Sequence, residues 1–248
     1  MSLIVTIHVN EGIVMASDSR SSVTLPELLN DGSDGNAKVI KETMVHFSDT
    51  SYKTFLMDGK IGISTCGNAT INNMPISGYI EEFIRENSGC MIDELPQKIR
   101  DYFQALESNR CTTFFVAGYS EDDTGLKQKV FRVNTNVNQA DSIEICNTSF
   151  PGASWDGERD VVSRLFSDLY LKHIDNTGVE SYTKHITYDL AIQHFTLQDA
   201  IEFAEFVISA TINSMKFQRR AKTVGGPVDI LVIKPKEAFW IQRKELHA

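Results

Sequence analysis

Residues 3 to 9, LIVTIHV, and 12 to 17, GIVMAS, are two short runs of β-branched and apolar residues, joined by the turn sequence NEG. They read as the two strands of a hairpin. Neither run alternates apolar with polar residues, as a strand with one wet face does. A hairpin that is apolar on both faces needs cover on both, so the chain must fold in layers with these strands inside. An apolar run that starts almost at residue 1 also predicts that this end is held in place rather than loose.

The remaining sequence can supply the cover. Of its 248 residues, 42% are hydrophobic and 23% charged, which suits one sizeable core, and a single domain over 1–248 is expected. Strands are predicted at 53–57 and 60–65, divided by a DG turn. A helix follows over about 75–86, with Ile76, Ile80, Phe83 and Ile84 on one face, and a second spans about 92–107. The stretches CTTFFVAGY, KVFRVNT and SIEICN read as strands. A third helix is predicted over about 156–171, with Val161, Leu165, Phe166, Leu169 and Tyr170 inward. The fourth starts at a Thr196 cap with Asp199 three residues on, and turns Leu197, Ala200, Ile201, Ala204, Val207 and Ile212 inward. PVDILVIKP and AFWIQR close the chain as strands. Residues 21–50 and 173–195 read as inserted loops, the first with some short structure. Helices that come in pairs argue for an α+β fold of antiparallel sheets with helices outside, against a βαβ parallel sheet.

Several classes of function are disfavoured. A net charge of −9, with no local run of Lys or Arg, argues against a nucleic-acid partner. No stretch approaches a membrane span, and His8, Glu11 and Asp18 interrupt the region where a signal peptide needs an apolar core, so a cytoplasmic location is expected. Cys66, Cys90, Cys111 and Cys146 are widely spaced and read as buried thiols, with no disulfide framework. The six histidines show no metal-ligand spacing, so no metal and no cofactor is expected.

Antiparallel pairing across the first turn places Ser2 opposite the region of Asp18 to Arg20 in any plausible register. Ser2 follows the initiator Met and is small enough for that Met to be removed, which leaves Ser2 with a free α-amine. Such an amine has a pKa of about 7.7–8.0 and can take the proton of the hydroxyl on its own residue. One residue then holds both nucleophile and base.

SLIVTIHVNEGIVMASDSR resembles the start of mature proteasome β subunits and of their bacterial two-ring peptidase relatives, which are N-terminal nucleophile (Ntn) hydrolases. KTFLMDGKIGISTCG resembles the family's lysine strand and closing glycine, and VGGPVDILVIKP its Gly-Gly strand. The resemblance implies a four-layer αββα sandwich of two antiparallel sheets flanked by helices. It also implies an amide- or peptide-bond hydrolase of the threonine-peptidase type, acting on peptide or protein substrates. It places Ser2 at the nucleophile, Asp18 and Lys53 at the supporting pair and Gly67 at the oxyanion-binding amide, with Ser22, Thr65 and Ala69 lining the substrate groove. Homo-oligomeric rings are implied, and an ATP-dependent unfoldase partner is left open.

A lysine ammonium beside the amine and hydroxyl lowers their pKa, and an aspartate can hold it there. Lys38 and Lys41 are rival lysines, disfavoured by their place in the first insertion. The pattern departs from the family before Gly-Gly, where Ala221 and Val224 stand in place of an aspartate and a serine that support the amine. Ser154 is a loose match to another family serine, and a helix cap is an equal reading of it. These departures keep two alternatives open: a catalytically weak scaffold subunit, and an Ntn amidase acting on a small molecule.

Overall fold

A computed structural model describes residues 2–29, 38–106, 111–123, 125–136, 142–185 and 188–245, except for the side chains of 24–29 and 38–44. In chain order the strands are β1 (Leu3–Val9), β2 (Gly12–Ser17), β3 (Ser21–Leu29), β4 (Lys38–Ser48), β5 (Thr54–Met57), β6 (Ile61–Gly67), β7 (Thr70–Ile71) and β8 (Met74–Pro75). Helices α1 (Ile76–Glu86) and α2 (Leu95–Leu106) precede β9 (Thr112–Asp122), β10 (Gly125–Asn134), β11 (Ile143–Ile145) and β12 (Gly152–Gly157). Then come α3 (Asp160–Phe166), β13 (Tyr170–Ile174), β14 (Glu180–Lys184), a 3-10 turn at Ile192–His194, α4 (Leu197–Phe217), β15 (Asp229–Lys234) and β16 (Glu237–Gln242).

Two five-stranded antiparallel sheets dominate, one ordered β12-β1-β2-β15-β16 and the other β11-β10-β9-β6-β5. Alternation along β1 explains its unbroken apolar sequence. Leu3, Val5, Ile7 and Val9 pack with α4 residues such as Ala204 and Val207. From the opposite face, Ile4 joins Met15 and Leu231 against Phe115, Ala117 and Val130 of the second sheet. That sheet's outer face packs Ile63, Phe114 and Val133 on Ile80 and Phe83 of α1 and Ile99 and Phe103 of α2. The protein is therefore of mixed α/β class, with two main antiparallel sheets and four α-helices among the described residues.

The first hairpin turns at Asn10 and Glu11, with Ile4 opposite Ser17. Asp58 and Gly59 have φ of 51° and 67°, the twist that a two-residue hairpin turn needs. The capping box at α4 is present: Thr196 Oγ1 accepts from the Asp199 amide at 3.2 Å, and the Asp199 carboxylate accepts from the Thr196 amide at 2.8 Å.

Four expectations are corrected. Residues 21–50 are not mainly loop, because β3 and β4 pair as a hairpin, with Val23 opposite Val45. In the region 173–195, β13 and β14 form a fully exposed hairpin. The helix expected over 156–171 spans only Asp160–Phe166; residues 152–157 form β12, which covers the edge of β1, and Leu165 and Tyr170 are exposed. Not all four cysteines are buried either: Cys66 is, whereas Cys111 is exposed. Among the described residues no helix is long and apolar enough to cross a membrane.

Candidate active site

Asp18 lies just past the end of β2 and is fully buried. A buried carboxylate needs a partner at each lone pair, and Asp18 has four. Oδ1 accepts from the Leu3 amide at 3.0 Å and from Lys53 Nζ at 2.7 Å. Oδ2 accepts from the Arg20 amide at 3.1 Å and the Gly225 amide at 3.0 Å. This one carboxylate ties the start of β1, the exit of β2, the residue before β5 and the Gly-Gly segment together.

Lys53 is 6% exposed. Its ammonium donates to Asp18 and, at 2.6 Å, to the Arg20 carbonyl. Burial pushes its pKa below the ordinary lysine value, and the Asp18 charge pulls the other way. A second buried pair, Asp229 with Lys244, lies beside the first, since Asp229 stands opposite Ser17. The Lys244 charge adds to the downward push on Lys53.

Ser2 is 8% exposed. Together with Lys53, Ser22, Thr65, Cys66 and Ala69 it lines a cleft of about 30 Å³, roughly the space of one water. Such a cleft admits a small group but does not enclose a whole ligand. The hydroxyls of Ser22 and Thr65 are buried without a hydrogen-bond partner, so both can serve a guest in the cleft. Burial raises the pKa of the Cys66 thiol, which keeps it neutral and a poor rival nucleophile. Gly67 follows directly, exposed, with φ of 113°. A side chain there would come within 2.6 Å of the Cys111 carbonyl, so only glycine fits.

The structure thus brings Ser2, Lys53, Ser22, Thr65 and Ala69 to one cleft, with Asp18 behind Lys53; Gly67 falls between the lining residues Cys66 and Asn68 and does not itself line it. Ser154 is not among them. It stands opposite Thr6 in mid-strand, while Ser2 falls opposite Glu158, so about 13 Å of strand separates the two. Ala221 is exposed and Val224 is buried in the apolar cluster under α4. The side chains of Lys38 and Lys41 lie outside the described residues.

Sequence reasoning missed two groups. Arg20 forks onto Asp49 at 2.6 and 2.7 Å and donates to the Lys222 carbonyl at 3.2 Å, which braces the carbonyl that Lys53 uses. The Glu158 amide donates to the Ser2 carbonyl at 2.8 Å. Arg20 stood in the DSR stretch, but nothing local marked Asp49 as its neighbour or Glu158 as that of Ser2. Among the described residues no group of His, Cys, Asp and Glu is placed to hold a metal. A roomier hollow of about 620 Å³ lies at the far end of β1, by Asn10. Its two lysines, Lys127 and Lys129, are spent on Asp122 and Asp93. No family model matches the chain, and no curated protein matches it.

Proposed function

We propose that the chain is a proteasome-like Ntn hydrolase with the αββα sandwich of that class, cleaving amide bonds in peptide or protein substrates with Ser2. The observation that carries this reading is the buried Lys53 ammonium, clamped by Asp18 and lining the same cleft as Ser2. Besides tying four segments together, this pair fixes a positive charge in the cleft that Ser2 lines, the means by which working sites tune a nucleophile.

The steps follow from the residues present. Loss of Met1 frees the Ser2 amine, which takes the Oγ proton as Oγ attacks the substrate carbonyl carbon. The positive charge of Lys53 favours the deprotonated amine and the forming alkoxide. The Gly67 amide, next to the cleft residues Cys66 and Asn68, is assigned to the oxyanion. The C–N bond then breaks, the leaving amine takes the proton from the Ser2 ammonium, and water cleaves the resulting ester by the reverse proton path. A shallow cleft suits an extended chain laid across it better than a swallowed small molecule, so peptide is favoured over a small amide. Rings of identical subunits and an unfoldase partner belong to the same proposal; a native mass equal to that of one chain would remove the ring.

A β-lactone or peptide vinyl sulfone is expected to add once to the protein, at Ser2, as read by intact mass. Ser2→Ala should lose the adduct while folding normally. Labelling should rise with pH through the amine pKa, because the free amine is the base. No adduct at any pH from 6 to 9, or an adduct retained in Ser2→Ala, would overturn the reading. A scaffold subunit without turnover is the second reading, favoured by Val224, which brings no polar atom to the place of the family's supporting serine.

A further inference from the structure

The backbone carbonyl of Ser2 is bonded on the strand edge opposite the one that Leu3 gives to Asp18. In an extended strand, successive residues turn their N–H and C=O to opposite edges. Leu3 uses the β2 edge, donating to Asp18 Oδ1 at 3.0 Å and accepting from the Asp18 amide at 3.3 Å. Ser2 therefore turns to the β12 edge, where its carbonyl accepts from Glu158. An extended Ser2 carries its nitrogen, which becomes the α-amine, to this same edge.

Glu158 meets Ser2 on that edge through its backbone amide, and its side chain, only 11% exposed, carries a carboxylate next to it in the chain. Oε1 accepts from Arg220 Nη1 at 3.1 Å, and Oε2 accepts from Thr223 Oγ1 at 2.8 Å. Arg220 also reaches Asp160 at 2.9 Å. One cation between two carboxylates leaves the group with a net charge of about −1 by formal count. Thr223 is buried and lies two residues before Gly225, whose amide holds Asp18. The same short segment thus braces the site on both sides.

We propose that Glu158 is the counter-ion and positioning residue of the Ser2 amine, held by Thr223 and Arg220. It rests on the reading that Ser2 acts through its own amine. When the amine takes the hydroxyl proton it becomes an ammonium, and Glu158 stabilises that charge as the aspartate of a serine-protease triad stabilises its imidazolium. The proton passes only between Ser2 Oγ, the amine and the leaving group. Ala221 and Val224 then leave no gap in the machinery, since the support comes from β12 and Thr223. The other charged groups around Ser2 are Lys53 with Asp18, and Asp156 with Arg132 of the second sheet at 2.5 Å. The Cys66 thiol is neutral.

The test measures the amine directly in protein prepared with Ser2 at its N-terminus. Acetic anhydride competes for that amine from pH 5 to 10, and mass spectrometry of the N-terminal peptide gives its pKa. Glu158→Gln, which keeps an acceptor for Thr223, should lower that pKa by about one unit. Arg220→Met should raise it, because Glu158 is then less neutralised. A purely structural role would change stability in both variants and move neither titration. Unchanged titrations, or an upward shift in Glu158→Gln, would overturn the assignment. Failure of the hydrolase reading shows separately, as a wild-type chain that no β-lactone labels although its amine titration still responds to Glu158.

Discussion

Lys53→Met is expected to lower stability by about 3–5 kcal/mol and covalent labelling of Ser2 by about 100-fold or more. The stability loss comes from Asp18. With the ammonium gone, a fully buried carboxylate keeps its backbone donors at Leu3, Arg20 and Gly225 but loses its compensating charge. For a chain of this size the loss corresponds to a fall in Tm of roughly 6–20 °C. The chemical loss has a different origin: without the nearby cation the Ser2 amine and hydroxyl hold their protons more tightly. The limb of the labelling profile that rises with pH should therefore move to higher pH.

The double variant Lys53→Met with Asp18→Asn separates the two effects. Removing both charges should recover a good part of the stability, since a neutral amide is far cheaper to bury than a lone carboxylate. Labelling should stay low. Thermal unfolding and adduct formation measured on the same four proteins make the cycle. If Lys53→Met labels at the wild-type rate, Lys53 is a structural lysine and the chemistry assigned to the cleft is wrong.

The parts of the site that could be read from sequence are those that depend on local pairing. The NEG turn fixes the register of β1 on β2, and that register alone carries Asp18 to the start of β1. The DG turn does the same for β5 and β6, bringing Lys53 and Gly67 to the open end of one hairpin. Strands covered on both faces announce themselves by composition, and α4 by its capping box.

The β12 strand was hidden for a physical reason. GASWDG has small and polar residues and no alternation, and it forms a strand because the edge of β1 needs a backbone partner, a demand blind to side chains. Read without that partner, the apolar residues from Val161 to Tyr170 looked like one long helix. The chain instead leaves the helix at Ser167, with φ −94° and ψ 153°. Ser154 came from a loose match to a family serine; with β12 unrecognised its register, and so the place of Glu158 opposite Ser2, could not be counted.

That register gives the last expected result its force. Gly157 has φ of 97° and lies against the start of β1. A Cβ on it would fall 1.8 Å from the Ser2 carbonyl oxygen and 3.3 Å from Cys66 Cβ. The first of these is backbone, held by the Glu158 amide, and has no rotamer through which to escape. Gly157→Ala must therefore push Ser2 out of place or part β12 from β1. Backbone strain alone accounts for about 1–3 kcal/mol, and the broken contact adds to it. Gly89→Ala is the control: φ is 86°, but nothing lies within 4 Å of its Cβ, so it reports strain without collision. Gly157→Ala should be the less stable of the two by urea unfolding. It should also lose labelling about 100-fold, the penalty for displacing a nucleophile by about 1 Å, while Gly89→Ala labels normally. Equal stability and equal labelling in the two variants would mean that the end of β12 does not seat Ser2, and the positioning assigned to Glu158 would fall with it.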